Sequence, residues 1–176
     1  MTHLQTDILI GRIAKGDMGA LEELYNSLAK QVYAFALSIS KNHQLAQDVM
    51  QDTFVKIYRN AKSFKQKGAG TAWVMRIARN LTYDMLTSKN ASFTQLEESM
   101  VADMSTEESV LTRALLSEAA AGLNDAEREV ISLHAVSGLK LSEIAEILEQ
   151  PVGTVKWRHS QAIKKMKDYI GTEVAQ

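Results

Sequence analysis

The sequence predicts an all-α protein of two small helical domains joined by an acidic linker, with a helix-turn-helix in the second domain. Apolar residues recur at spacings of three and four in both halves, and no segment alternates as a strand does. The composition is rich in Ala, Leu, Glu, Gln and Lys, which favour helix. A polar stretch without clear periodicity, at 90–108, predicts the linker between domains 1–89 and 109–176.

The first domain is predicted to consist of successive amphipathic helices. Asp17 is a candidate N-cap for a long helix whose apolar stripe continues to residue 39. After the short polar break 41–44, a further helix is predicted over 45–60. The loop 62–70, which carries lysines and glycines, separates it from a fourth helix that Thr71 would cap. The apolar stripe of that fourth helix is Val74, Ile77, Ala78, Leu81 and Met85.

The second domain is predicted to begin with a helix near residue 107. Asp125 would cap the next helix, and Gly138 would end it. Ser142 would cap a short helix, and the turn 149–153 would lead into a final helix that ends near residue 170.

The charges are segregated along the chain, although the formal net charge is only -1. Residues 56–89 hold eight Lys or Arg against one acid, and residues 151–170 hold five against one. Residues 90–127 hold eight acids against one base. Two basic blocks around an acidic one predict two anion-binding surfaces and a connector that avoids the anion.

Several classes of protein are disfavoured. The chain has no cysteine, which excludes disulfides and thiolate metal sites, and its four histidines are far apart in sequence. No catalytic cluster accompanies them, so an enzyme is the least favoured class, and neither cofactor nor metal is expected. No apolar run is long enough to span a bilayer, and the N-terminus lacks a secretory signal pattern, which predicts a cytoplasmic protein.

The strongest motif is the segment 138–167, which predicts a helix-turn-helix. Small Ala145 would let its two helices cross closely, and Ile144, Leu148 and Val155 would close the core between them. The second helix would present its first turns to the DNA major groove. Thr154 and Arg158 flank this surface and suit phosphate contacts. The residues on the face that would read DNA are Lys156, Trp157, Ser160, Gln161 and Lys164.

A polar stripe follows the helix over 45–60. Its members are spaced at i, i+3, i+4 and i+7, while Met50 and Phe54 point the other way. Such a stripe suits docking against a basic helical partner, although a solvated face gives the same pattern. The stripe consists of Asp48, Gln51, Asp52 and Val55.

The fourth helix carries a basic face opposite its apolar stripe. Basic groups beside the aromatic rings of Phe64, Trp73 and Tyr83 suit separated single strands, whose bases stack and whose backbone needs cations. Taken alone, the rings of Phe64 and Trp73 are each better explained by the core, whereas the face as a whole favours nucleic-acid binding. The candidates for this surface are Phe64, Lys65, Lys67, Arg76, Arg79, Asn80 and Tyr83.

These motifs together resemble the extracytoplasmic-function sigma factors of bacterial RNA polymerase. The resemblance covers nearly the whole chain in order. It rests on DVMQDTF at 48–54, WVMRIARN at 73–80, the acidic linker, and EIAEIL with GTVKWR at 143–158. It implies binding to core RNA polymerase and to promoter DNA, and control by an anti-sigma factor.

The resemblance also implies a role for each surface. Asp48, Gln51, Asp52 and Val55 would contact the helical clamp of the polymerase's largest subunit. The loop 64–70, with Arg76, Asn80 and Tyr83, would open the minus-ten element and hold a flipped base. The linker would thread toward the RNA exit channel. Lys156, Trp157, Ser160 and Gln161 would read the minus-thirty-five element.

Four features depart from the family pattern. Met85–Lys89 stands where an arginine pair is frequent, and Pro151 replaces the usual serine cap of the recognition helix. Trp157 and Gln161 stand where serine and arginine are common. Because glutamine can pair bidentately with adenine, these departures predict an unusual minus-thirty-five preference.

Two alternatives remain open from the sequence. A helix-turn-helix regulator that never contacts polymerase explains 125–170 but not the motifs at 48–54 and 73–80. A sigma mimic that titrates an anti-sigma factor would not need the basic recognition face that this chain keeps.

Overall fold

The computed structural model describes residues 3–65, 68–89 and 118–174. Within these ranges the chain forms only helices and turns, which confirms the all-α prediction. The predicted linker, and the helix predicted from residue 107 as far as residue 117, lie outside the described residues; residues 118–121 of that helix are helical. The elements are α1 (His3–Ile13), α2 (Met18–Ser40), α3 (His43–Asn60), a 3-10 turn (Ala61–Ser63), α4 (Gly70–Lys89), α5 (Asp125–Ser137), α6 (Leu141–Leu148) and α7 (Val152–Val174).

Two polar side chains set the starts of α2 and α3. Asp17 caps α2 as predicted, since its Oδ1 accepts the N–H of Ala20 at 3.1 Å. Asn42 caps α3 by accepting the N–H of Leu45 at 2.8 Å. The helix therefore begins two residues earlier than predicted, and the break after α2 shortens to two residues.

Three predicted caps are wrong. Thr71 lies inside α4, and its hydroxyl is 3.2 Å from that of Thr6. Helix α5 is capped by Asn124 and not by the predicted Asp125. The Asn124 side chain accepts the N–H of Glu127, and the Glu127 side chain accepts the N–H of Asn124. The third, Ser142, lies within α6, where Glu143 instead accepts the N–H of Lys140 at 2.8 Å.

The helix-turn-helix has the predicted core. Ile144, Ala145, Leu148 and Val155 are all buried between α6 and α7. Gly138 ends α5 in the left-handed conformation, as predicted. The turn after α6 spans 149–151 instead of the predicted 149–153, because α7 begins at residue 152.

The cores of the two domains are continuous. In the first domain α1 to α4 enclose a core whose largest fully buried side chains include Ile10, Leu24 and Phe35. In the second, Leu133 and Ile144 belong to the same buried cluster. Helix α2 packs on α5, and α4 packs on both α5 and α6. No helix among the described residues has the length and apolarity needed to cross a membrane.

Candidate polymerase and nucleic-acid interfaces

The polar stripe of α3 lies on the surface as predicted. Gln51 and Asp52 are exposed, and Val55 is an apolar residue with 44% exposure. Asp48 is half-buried and accepts a hydrogen bond from Gln44 Nε2 at 2.9 Å. The opposite side of the helix is fixed by Phe54, which is buried. The stripe is therefore a rigid surface on a helix held by the core.

The loop before α4 carries part of the predicted minus-ten surface. Phe64 is half-buried and packs on Trp73, with ring centroids 5.2 Å apart. Lys65 is exposed, whereas Lys67 lies outside the described residues. The two rings therefore satisfy each other, and only part of each remains available to a base.

Asp7 of α1 holds the end of this loop. Its carboxylate accepts the N–H groups of Gly68 and Gly70, each at 2.6 Å, although 61 and 63 residues separate the partners. Asp7 is 4% exposed. A Cβ at Gly70 would lie 2.5 Å from Asp7 Oδ1, so the close approach requires glycine there. Sequence reasoning missed Asp7, whose one signal is that it is the single acid of the first helix.

Asp7→Ala is expected to loosen the loop. The substitution removes the acceptor of two N–H groups, one of them in a buried bond, which costs about 1–3 kcal/mol of unfolding free energy. Urea unfolding measures the loss, and permanganate reactivity of promoter thymines measures strand opening. Asp7→Asn keeps one carbonyl acceptor, so its stability and its strand opening should be intermediate between those of Asp7→Ala and of the unmodified protein. Equal stability and opening in Asp7→Ala and the unmodified protein would contradict this role.

The basic face of α4 is turned toward the second domain. Arg76 donates to the backbone oxygen of Glu146 at 2.9 Å, and Arg79 Nε lies 2.7 Å from Glu129 Oε1. The Arg79 guanidinium also lies 5.0 Å from the ring centre of Tyr83. Asn80 is exposed. Three of the four predicted contacts on this helix are therefore engaged within the chain.

Glu129 is the centre of this contact. It is buried, and its side chain is 8% exposed against 27% for Arg79. Burial raises the pKa of Tyr83 far above its usual value, and the hydrogen-bonded carboxylate of Glu129 raises it further. The three side chains thus form a small polar cluster between α4 and α5.

The recognition helix α7 presents most of its predicted face to solvent. Lys156, Ser160 and Lys164 are exposed, and Trp157 is exposed to 61%. The Trp157 side chain therefore lies on the surface and is not part of the core. The remaining candidates, Thr154, Arg158 and Gln161, are half-buried.

Two polar contacts fix the orientation of α7. Arg158 donates to Gln150 across the turn. Lys165 Nζ lies 2.8 and 2.7 Å from the two carboxylate oxygens of the buried Glu127. Burial raises the pKa of Glu127, but Lys165 and the N–H of Asn124 outweigh it and leave that pKa lowered. The recognition helix is thereby tied to the cap of α5.

A histidine pair joins α5 to α7. The rings of His134 and His159 meet edge to face with centroids 4.8 Å apart. His134 Nδ1 lies 2.8 Å from the backbone oxygen of Leu139, the residue that follows the end of α5. Burial lowers the pKa of His159, and the charge of His134 lowers it further.

This pair predicts acid sensitivity of the second domain. Because the pKa of His159 is depressed in the folded state, its contribution to stability is present above about pH 6.5 and is lost as pH falls through the folded value. Urea unfolding followed by circular dichroism at about pH 7.5 and about pH 5.5 measures the change. His159→Phe keeps the ring contact and should reduce the pH dependence; an unchanged dependence would rule out this source.

Comparisons with known proteins agree with the two-domain helical fold. The model of Sigma-70 region 2 matches residues 24–92, and that of Sigma-70, region 4 matches residues 113–166. The ECF RNA polymerase sigma factor SigW of Bacillus subtilis is 30% identical, with 85% of this chain and 88% of SigW covered. SigK of Mycobacterium sp. (strain JLS) is 25% identical over 94% of this chain and 90% of its own.

Solved structures show the same fold. CnrH, solved in complex with the cytosolic domain of CnrY, gives a TM-score of 0.72 at 24% identity and covers 96% of this chain and 98% of its own. RpoE of Bartonella quintana, solved with the anti-sigma factor NepR, gives 0.71 at 24% identity, with 85% and 96% covered.

A two-domain helical fold that combines sigma region 2 with sigma region 4 defines a transcription initiation factor of RNA polymerase. The chain belongs to the extracytoplasmic-function (ECF) family of sigma factors. It directs core RNA polymerase to promoters and initiates transcription. The region 2 match sets aside the plain regulator, and the relationship to SigW favours a sigma factor over the mimic. Within the described ranges, no three His, Asp or Glu side chains are placed to hold a metal ion.

Proposed function

We propose that each domain performs one part of promoter recognition. Domain 1–89 binds the polymerase clamp through the α3 stripe and opens the minus-ten element. Domain 109–176 reads the minus-thirty-five duplex through α7, and the linker 90–108 connects them in the RNA exit channel. The chain acts in the cytoplasm and catalyses no reaction of its own.

The observation that carries this proposal is the exposed face of α7. Helix α7 is held by the buried core of the helix-turn-helix and by two polar contacts, Arg158–Gln150 and Lys165–Glu127. Its exposed side chains are basic, aromatic or hydroxyl-bearing. The exposed lysines can bind DNA phosphates, whereas Gln161 and Ser160 can form hydrogen bonds with base edges. Trp157 has an apolar surface suited to a thymine methyl group.

The minus-ten surface is proposed to consist of Phe64, Lys65 and Lys67 of the loop together with the α4 face. Asn80 is already exposed, whereas Arg76, Arg79 and Tyr83 contact the second domain. Arg76 is exposed and gives up only one hydrogen bond, whereas Arg79 and Tyr83, which contact Glu129, can reach DNA only after α4 and the second domain separate. Binding of core polymerase is therefore proposed to accompany an opening of the two domains.

The experiment that tests the proposal is reconstitution with core RNA polymerase. Labelled protein is titrated into bacterial core enzyme and followed by anisotropy, and the complex is then used to select promoters from genomic fragments in a transcription assay. Saturable binding and discrete transcript starts are expected. Absence of binding by folded protein freed of any partner would contradict the proposal.

An anti-sigma partner is also proposed. The structures of CnrH and of the Bartonella RpoE were solved in complex with the cytosolic domain of CnrY and with the anti-sigma factor NepR. A partner of this kind would compete with core polymerase. Its presence can be tested by recovering the chain from cells and identifying a stoichiometric component that core enzyme displaces.

A further inference from the structure

A basic pocket lies next to the minus-ten loop and is lined by residues that belong to none of the predicted sites. It is a cavity of about 570 Å³ between the α1–α2 turn and the end of α3. All of its walls belong to the first domain, so the second domain does not cover it. The lining residues are Ile13, Ala14, Lys15, Gly16, Tyr58, Arg59 and Lys62.

Three cations of this pocket have no acidic partner among the described residues. Lys15, Arg59 and Lys62 are exposed, and in the described part of the chain no Asp or Glu oxygen lies within 4.0 Å of their nitrogens. Elsewhere, Arg79 and Lys165 are each paired with a buried carboxylate. Like charges around one cavity repel each other, and a bound anion would relieve this repulsion.

Tyr58 adds an exposed aromatic ring to the same pocket. It is 49% exposed, whereas Ile57 beside it is fully buried in the core. Gly16 on the opposite wall has φ of 91° and nothing within 4 Å of the position of a Cβ, so the turn leaves the pocket open. A partly exposed ring beside several cations is the combination that binds single-stranded nucleic acid, because the ring stacks on a base while the cations bind the phosphates.

The position of the pocket favours one occupant. Helix α3 runs directly into the 3-10 turn 61–63, and Lys62 precedes Phe64 of the minus-ten loop by two residues. We infer that the pocket binds the backbone of the separated DNA strand, with Tyr58 stacked on a base and Lys15, Arg59 and Lys62 at its phosphates. This inference rests on the proposed strand-opening function of the loop. Three cations on two walls suit successive phosphates of a strand better than one free phosphate group.

The test is the salt dependence of strand binding by the full chain. Fluorescent oligo(dT) of about 20 nucleotides is titrated with the protein at several salt concentrations. In Lys15→Gln/Arg59→Gln/Lys62→Gln, the slope of log affinity against log salt should fall by about 2, since each phosphate contact contributes about 0.7. Affinity at low salt should fall about tenfold or more. Tyr58→Leu should weaken binding without changing the slope.

A matched control removes the same charge elsewhere. Lys30→Gln/Lys41→Gln/Lys140→Gln changes three exposed lysines outside the pocket and should leave the slope unchanged. Equal effects of the two triple variants would overturn the inference, because the effect would then be one of net charge. Displacement by dTTP or inorganic phosphate as effective as that by oligo(dT), at equal phosphate, would also overturn it and assign the pocket to a free phosphate compound.

Core polymerase binding separates this inference from the proposed function. The pocket variant should bind core enzyme as the unmodified chain does. If its core affinity falls while its oligo(dT) affinity does not, the pocket faces an acidic polymerase surface and the inference is wrong. If the unmodified chain fails to bind core enzyme at all, the proposed function fails, whatever the oligo(dT) result.

Discussion

Asp52→Arg is expected to weaken binding to core RNA polymerase strongly while leaving the fold intact. Asp52 lies at the exposed centre of the α3 stripe, where no described Lys or Arg is within ion-pair distance. Its carboxylate is thus available to a basic partner helix. An arginine there replaces attraction with repulsion and leaves the partner's cation unpaired, which costs about 3 kcal/mol, or roughly a hundredfold in affinity.

The measurement is anisotropy of labelled chain with core enzyme, beside a control of the same charge change. Glu22→Arg alters an exposed carboxylate on α2, outside the stripe, and should retain near-normal affinity. Both are surface substitutions, so unfolding free energies should stay within about 0.5 kcal/mol of the unmodified protein. Equal losses of affinity in the two variants would mean that net charge, rather than the α3 stripe, governs the interaction.

Glu129→Arg is expected to separate the two domains. The new guanidinium would face Arg79 in a largely buried position and lose the bond to Tyr83. Breaking a fully buried pair costs about 3–5 kcal/mol. We expect about 2 kcal/mol here, because the Arg79 side chain keeps 27% of its exposure. A larger radius of gyration in small-angle scattering would report the opening.

A charge swap distinguishes opening from misfolding. Arg79→Glu/Glu129→Arg restores an oppositely charged pair and should recover the compact shape. Failure of the swap to restore compactness, with helical content unchanged, would mean that this pair does not hold the domains together.

The alkaline titration of Tyr83 gives an independent measure of the contact between Glu129 and Tyr83. Burial and the Glu129 carboxylate raise its pKa, so Glu129→Gln should let the phenol ionise at lower pH, closer to the ordinary tyrosine pKa of about 10. The chain has five tyrosines, so the change in phenolate absorbance is assigned by comparison with Tyr83→Phe. An unaltered titration would show that burial alone sets this pKa.

Periodicity predicted the helices and the core because burial repeats with the helical turn. Ile144, Val155 and Phe54 were placed on buried faces from spacing alone, and all three are buried. The caps were less predictable. Asn124 and Asp125 are adjacent and chemically similar, and only the backbone conformation decides which residue caps the helix.

Contacts between distant segments could not be predicted from spacing. Asp7 and Gly70 are 63 residues apart, and no local pattern connects a first-helix acid to a later loop. The basic face of α4 is correctly distinguished from its apolar stripe by spacing. Its coverage by Glu129 depends on how the two domains pack, which helical periodicity does not encode.

The engagement of Arg76 and Arg79 within the chain also bears on how such a protein searches a chromosome. A genome offers roughly 10⁶ to 10⁹ non-specific sites that compete for any cationic surface. Arg79, which is half-buried and paired with Glu129, is withheld from that competition, and Arg76 is partly engaged by Glu146, so the closed chain neutralises fewer phosphates and is retained less by bulk duplex. The fraction of molecules free to diffuse to core enzyme is correspondingly larger.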